Sequence, residues 1–582
     1  YIGYKMILHW AKRTRKRLKV VRMSIILVVL TMFVLILYGN NILFETDHEV
    51  SKFRSSYIPP EVIEFESNFV PNAGFMGKPY YISSQTKEEI DAVVKKYAFN
   101  KVASDQINVK RILPDFRYNE CLKIKYNETN LPSTSIILIF NGEALSVLLR
   151  TIWSIITQTP PSLLKEIILI DDGSQTREMK EMLPMYMKSR FPKKVKLHRL
   201  KFQKGLIFAR IAGAEFATGE VITFLDSHCE VTKGWIQPLL QRISENNHTV
   251  VIPQIDSISD RTLSYHGVSN GNYINVGTFT WSGHFSWTSY TGKRESFTDP
   301  VPTPTMAGGL FAINRKFFWH IGGYDNGMIG WGGENLELSF RLWRCHGRIE
   351  TIPCSHVGHI FRSFHPYFIP KDSHGINTVR MAEVWMDDYK GFFYLYRTDL
   401  REKAKIIAKD LRDRHEIKKR LDCKSFKWYL ESVIPGKFKM ADEGIYWGRI
   451  RNVMWNDICL DHLQRDSGHN RESYVMGQYP CHSILGSTQY FVYSSNHQLR
   501  NEFMCGDVSN LQEFVMNACT ENNNLDPTWI YTDKKQLIHQ KSGLCLTADT
   551  FNAGSNLLMK LCIVKTDNVD IKIQQWEFEF RK

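Results

Sequence analysis

Residues 224–230 read Phe224-Leu225-Asp226-Ser227-His228-Cys229-Glu230, directly after the apolar run Val221-Ile222-Thr223. In an extended chain, residues two apart point to the same side. A strand ending in Asp226-x-His228 therefore aims one carboxylate oxygen and one imidazole nitrogen at a common point. That is part of a metal site, and two ligands alone do not complete one. Outward from this stretch, apolar runs of strand type occupy 135–140 and 166–170. Helical patterns follow through Leu145, Leu148, Leu149, Ile152 and Ile155, and again over 208–216. Strands alternating with helices predict a mostly parallel α/β sheet with ligands beyond the carboxyl ends of its strands. Both acidic motifs, Asp226-x-His228 and Asp171-Asp172-Gly173-Ser174, lie at such ends. Read alone, Asp-Asp-Gly-Ser is a plain turn, and Asp226-x-His228 is equally a solvated strand end.

With 582 residues the chain exceeds a single ordinary core, so more than one domain is expected. The net charge is +14, and its clearest basic run, residues 12–22, directly precedes the uncharged stretch 23–38, which continues uncharged to Phe44. This pattern predicts a retained signal anchor with the N-terminus cytosolic and the remainder luminal. The short span fits the thinner membranes of the early secretory route, Golgi or endoplasmic reticulum. A nucleic-acid partner is set aside because the basic cluster is juxtamembrane. None of the eleven cysteines forms a C-x-x-C pair, which argues against zinc ribbons and thioredoxin-like sites; in an oxidising lumen most should pair, leaving one over. Asn127-Glu128-Thr129 and Asn247-His248-Thr249 are sequons, which fits a luminal body.

Residues 45–105 are polar, broken by Pro59-Pro60 and Pro71, and read as a stem. Past Pro435 the chain carries short strand-like pieces and a weak repeat around Cys459-Leu460-Asp461, Cys505-Gly506-Asp507 and Cys545-Leu546-Thr547. Copies about 40 residues apart predict a pseudo-threefold β module.

A nucleotide-sugar enzyme must hold a base and a ribose and must neutralise a diphosphate leaving group. A divalent cation does the second as a Lewis acid, and mixed carboxylate and imidazole donors suit manganese. Downstream, Trp331-Gly332-Gly333-Glu334-Asn335 opens a helix. Its glycines let a loop fold over a ligand, with Trp331 as apolar cover. His359, in Pro353-Cys354-Ser355-His356-Val357-Gly358-His359, is a candidate third metal ligand. The set FLDSHCE, MAGGLF (306–311), WGGENLELSFRLW (331–343) and PCSHVGHIFR (353–362) resembles the polypeptide N-acetylgalactosaminyltransferases, Golgi enzymes that start mucin-type O-glycans. The likeness covers nearly the whole luminal chain, including AEVWMDDYK (382–390) and KWYLE (427–431).

The resemblance implies an α/β catalytic domain of the A-type glycosyltransferase (Rossmann-like) fold, followed by an all-β ricin-type β-trefoil lectin. The chain then divides into a cytosolic basic tail (1–22), a single transmembrane signal-anchor helix (23–44), a stem and lead-in (45–112), a catalytic domain (113–430), a linker (431–445) and a lectin (446–582). It also implies Asp226, His228 and His359 as Mn2+ ligands, and Asp172 and Ser227 at the nucleotide. Ala307, Gly308, Gly309, Glu334 and Asn335 would line the GalNAc pocket, with Trp331 as a mobile lid and Arg362, His365 and Tyr367 in a loop closing over the donor. The implied reaction moves GalNAc from UDP-GalNAc to a Ser or Thr hydroxyl of a peptide or glycopeptide with retention. A leaving-phosphate oxygen takes the hydroxyl proton and Glu334 acts as a positioning, charge-stabilising group. By family pairing the disulfides are Cys121–Cys354, Cys345–Cys423, Cys459–Cys481, Cys505–Cys519 and Cys545–Cys562, with Cys229 free and structural. Asp461 is the lectin residue that keeps the sugar-binding pattern; the second and third repeats read as lobes that bind nothing. The sequence departs from the family pattern at Asn141, Gly142, Gln203 and Phe208, the first three near the expected uridine end. These departures keep a second reading open, a catalytically weak or silent homologue that binds glycoproteins through its lectin.

Overall fold

The computed structural model describes residues 57–267, 274–465, 473–519, 527–550, 552–564 and 569–582. The basic tail and the signal-anchor stretch lie outside the described residues. No helix among the described residues is long and apolar enough to cross a membrane.

The sheet of the first unit is built on β1 (Thr134–Phe140), β2 (Leu164–Asp171), β3 (Val195–Arg199) and β4 (Val221–Asp226), which run parallel in the order β4-β1-β2-β3. Their apolar runs are continuous rather than alternating because helices cover both faces. Ile136 and Leu138 of β1 pack with the helix Leu145–Gln158, while Ile137 between them packs with the helix Leu206–Phe216 on the opposite face.

Beyond β4 the sheet changes sense. The strand Phe311–Asn314 lies antiparallel to β4 and also touches Val251. Two further elements are β5 (Cys229–Val231) and β6 (Thr249–Ile258). The long strand Arg348–Ile360 runs parallel to β6, and β5 pairs antiparallel with its far end, setting His359 opposite Cys229. A sheet that reverses in this way leaves a crevice at the carboxyl ends of β1, β2 and β4.

The residues expected as stem are folded from residue 57 onward. Ala73, Phe99, Ala103 and Ile107 are buried against Val147, Leu263, Tyr265 and Ile360. Arg111 forms a bidentate pair with the buried Glu230, 2.6 and 2.8 Å, and Arg150 approaches the same carboxylate at 3.3 Å. The lead-in is thus a layer of the catalytic unit rather than a free tether.

Strands from Gly444 to Arg581 form the second unit. Phe491, Trp529 and Trp576, one from each lobe, are fully buried in its core with Leu460 and Leu546. Each lobe carries one disulfide, Cys459–Cys481, Cys505–Cys519 and Cys545–Cys562. Cys121–Cys354 and Cys345–Cys423 close the first unit, and Cys229 is free and buried.

The units meet at a buried polar clamp. The Lys437 ammonium contacts Glu502 and donates to the Phe279 carbonyl. Glu502 accepts from the Trp281 amide at 3.1 Å, and the Trp281 indole donates to the Phe438 carbonyl at 3.1 Å. Residue 437 belongs to the connector, Trp281 to the first unit and Glu502 to the second.

Candidate active site

A cavity of about 590 Å³ opens at the carboxyl ends of β1, β2 and β4. On its floor the ligand atoms of Asp226, His228 and His359 lie within 4.8 Å of one another. The β-strand alternation places the first two side by side, and the β5 pairing brings the third across from 131 positions away, where the Ile360 amide donates to the His228 carbonyl at 3.2 Å. Asp226 Oδ2 is 3.3 Å from His359 Nε2. Gly309 makes room for this carboxylate, since a Cβ there would stand 2.2 Å from Asp226 Oδ2.

The set fits a divalent cation by its chemistry. One carboxylate and two imidazoles converge, and His359 Nδ1 is buried without a partner. Burial pushes His228 down to about 4, helped by Arg362, so its imidazole is neutral as a metal ligand requires. Burial pushes the Asp226 carboxyl up, but His359, His228 and Arg210 outweigh it and hold it well below the usual carboxylate range.

At one side of the cavity sits Asp172, whose two oxygens accept from the Lys204 and Gly205 amides at 2.6 and 2.8 Å. Burial nevertheless raises its carboxyl to about 6. At the other side the helix Glu334–Arg344 begins. Glu334 accepts from the Gly332 amide at 2.9 Å and from Arg210 at 3.3 Å, and Asn335 donates to the Met306 carbonyl at 3.1 Å. The Trp331 ring lies 4.5 Å from that of His365, whose Nδ1 is 3.3 Å from the Tyr367 hydroxyl. Ala307 and Gly309 line the cavity as well. Gly308 does not: it adopts φ +93° and faces Asn335, whose Cβ would be 2.6 Å from a Cβ at 308. Ser227 does line the cavity, and its hydroxyl donates to Glu143 at 2.9 Å.

Two residues of the cavity were not singled out from the sequence as site residues. Glu143 accepts from Arg362 at 2.6 Å and lies 3.1 Å from His228 Nδ1. Arg210 reaches both Glu334 and Asp226, the latter at 3.6 Å. The available signals were a carboxylate just past a strand end and a lone arginine in the apolar helix Leu206–Phe216. The departures from the family pattern are all accommodated. Asn141 donates to the Asp172 carbonyl at 2.5 Å, and the Gly142 amide donates to Ser174 Oγ at 2.7 Å. Gln203 donates to the Phe368 carbonyl at 2.8 Å, and Phe208 packs against the core.

In the second unit Asp461 is only 2% exposed. Its Oδ1 accepts from the Leu463 amide at 2.6 Å and its Oδ2 from Gln489 at 2.9 Å, with His482 nearby at 3.9 Å. Asn127 and Asn247 are both exposed.

Comparison with known proteins agrees with this geometry. The family model for glycosyl transferase family 2 matches residues 135–322, that for the N-terminal domain of galactosyltransferase residues 290–366, and that for the ricin-type beta-trefoil lectin domain residues 446–576. The chain is 42% identical over 536 residues to the probable N-acetylgalactosaminyltransferase 9 of Caenorhabditis elegans, covering 89% of this chain and 90% of the relative. It is 40% identical to polypeptide N-acetylgalactosaminyltransferase 4 of Mus musculus, covering 84% of each. Among solved structures, GalNAc-T7 with UDP, GalNAc and Mn2+ superposes with a TM-score of 0.67 at 32% identity, covering 88% of this chain and 93% of that one. A catalytic domain of the A-type glycosyltransferase fold, a ricin-type trefoil behind it and this degree of identity along nearly the whole length place the chain in the polypeptide N-acetylgalactosaminyltransferase family.

Proposed function

We propose that this chain transfers GalNAc from UDP-GalNAc to Ser and Thr hydroxyls of secretory proteins, with retention of configuration, and so starts mucin-type O-glycans. The observation that carries this reading is the convergence of Asp226, His228 and His359 in one cavity with Asp172 on one side and Glu334-Asn335 on the other. The relatives bear the transferase name, and GalNAc-T7 holds UDP, GalNAc and Mn2+.

Mn2+ bound to the three ligands would neutralise the diphosphate and act as a Lewis acid. The chain's own residues do the rest. Asp172 stands at the nucleoside end and Arg362 adds positive charge beside the diphosphate position. Arg210 and the Gly332 amide hold Glu334 rigidly, which suits a group that orients the sugar and stabilises developing charge rather than one that swings onto carbon. Trp331, against His365, covers the cavity and excludes water.

The proposed setting is the Golgi membrane, single-pass, with both units luminal. Its supports are the basic run before the uncharged stretch 23–44 and five disulfides, which belong to an oxidising compartment. The lectin-only alternative is less favoured because relatives at 40–42% identity bear the transferase name and GalNAc-T7 holds UDP, GalNAc and Mn2+.

The test uses the luminal fragment with Mn2+, UDP-GalNAc and a mixed panel of naked and GalNAc-bearing Ser/Thr peptides, read by mass. A gain of one N-acetylhexosamine that disappears in Asp226→Ala is the expected result. A folded protein that neither transfers nor hydrolyses the donor rejects it.

A further inference from the structure

Glu143 follows β1 directly and is 7% exposed, yet its two carboxylate oxygens serve different parts of the cavity. Oε2 accepts from Ser227 Oγ at 2.9 Å and lies 3.1 Å from His228 Nδ1, on the outer side of a metal-triad imidazole. Oε1 accepts from Arg362 Nη2 at 2.6 Å. Arg362 is itself 8% exposed at the side chain, and its Nε is buried without a partner. It opens the segment 362–370, which passes over the cavity through His365 and Tyr367 and is tied farther on by Gln203 at the Phe368 carbonyl. A single carboxylate thus joins the metal floor to the cover.

We propose that Glu143 is a positioning residue that couples occupancy of the Asp226–His228–His359 site to ordering of the 362–370 segment; this rests on the metal reading above. The chemistry is that of an outer partner of a metal-bound imidazole. By accepting the Nδ1 proton, Glu143 fixes the tautomer in which Nε2 presents its lone pair to the site. A cation bound there immobilises His228, which immobilises Glu143, and the held carboxylate then gives Arg362 a fixed anchor. Coupling of this kind is reciprocal, so an ordered segment also strengthens cation binding.

The experiment uses the whole luminal protein and two readouts that need no turnover. Mn2+ affinity is measured by calorimetry, and amide hydrogen exchange at 361–370 is followed with and without Mn2+. Wild type is expected to bind Mn2+ and to gain protection at 361–370 when it does. Glu143→Gln is expected to weaken Mn2+ binding by about 10- to 100-fold and to abolish the Mn2+-dependent protection. Glu143→Asp keeps the charge but loses the simultaneous reach, so it should recover affinity without recovering protection. Wild-type exchange that ignores Mn2+, or a folded Glu143→Gln that binds Mn2+ as wild type does, overturns the coupling and leaves the metal reading intact. A wild type that binds no Mn2+ overturns both. If Glu143→Gln does not fold, Glu143→Asp decides, and wild-type Mn2+-dependent protection at 361–370 in that variant overturns the coupling.

Discussion

Replacing Gly309 by alanine isolates the geometry of the metal triad from the stability of the fold. The added Cβ would lie 2.2 Å from Asp226 Oδ2 and 2.9 Å from its Cγ. That is short of ordinary contact by more than about 1 Å. The Gly309 backbone is not in the left-handed region, so alanine itself brings no strain there and the clash falls on one side chain. Asp226 must retreat, and with it the oxygen now 3.3 Å from His359. Misplacing a reacting or coordinating group by about 1 Å costs roughly 100-fold in rate, equivalent to about 2.7 kcal/mol. Transfer to a Ser/Thr peptide at saturating UDP-GalNAc, Mn2+ titration and thermal unfolding would be measured together. We expect Mn2+ affinity and kcat/KM to fall by about two orders of magnitude with little change in Tm. If Gly309→Ala keeps wild-type affinity and rate, Asp226 is not the rigid ligand described here.

Other expected outcomes concern the frame around the site. Burial alone would raise the Glu166 carboxyl, but Lys196, Thr218 and Ser135 hold it down at about 2. Its contribution to stability is therefore complete above the ordinary carboxylate value of 4.5 and is lost as pH falls toward 2; Glu166→Gln should flatten urea-unfolding stability across that window. Lys437→Ala leaves Glu502 buried without its cation, costing about 3–5 kcal/mol; calorimetry should then resolve separate transitions for the two units. Burial, with Asp226 nearby, raises the Cys229 thiol well above its ordinary value, so the native protein should resist iodoacetamide at this position, and Cys229→Ala should transfer at near wild-type rate.

The sheet was legible because 135–140, 166–170 and 221–225 are apolar runs bounded by turn residues, and a buried parallel strand leaves that trace. The acidic strand ends were legible for the same reason. Glu143 and Arg210 were not, since what gives them a role is the approach of His228, Arg362 and Glu334 from distant parts of the chain, which no local pattern encodes. The region expected as a stem misled for a related cause. Phe99, Ala103 and Ile107 recur every four residues in a short, mixed stretch, and their partners Leu263, Tyr265 and Ile360 lie more than 150 positions away. His359 reads as a ligand only through its motif, because its neighbour in space is fixed by the antiparallel pairing with β5.

The folded lead-in also decides where an independently folding fragment can begin. A protein cut just ahead of β1 would lose Phe99, Ala103 and Ile107 from the core they share with Val147, Leu263, Tyr265 and Ile360. It would also lose Arg111, leaving the buried Glu230 with Arg150 as its remaining cation.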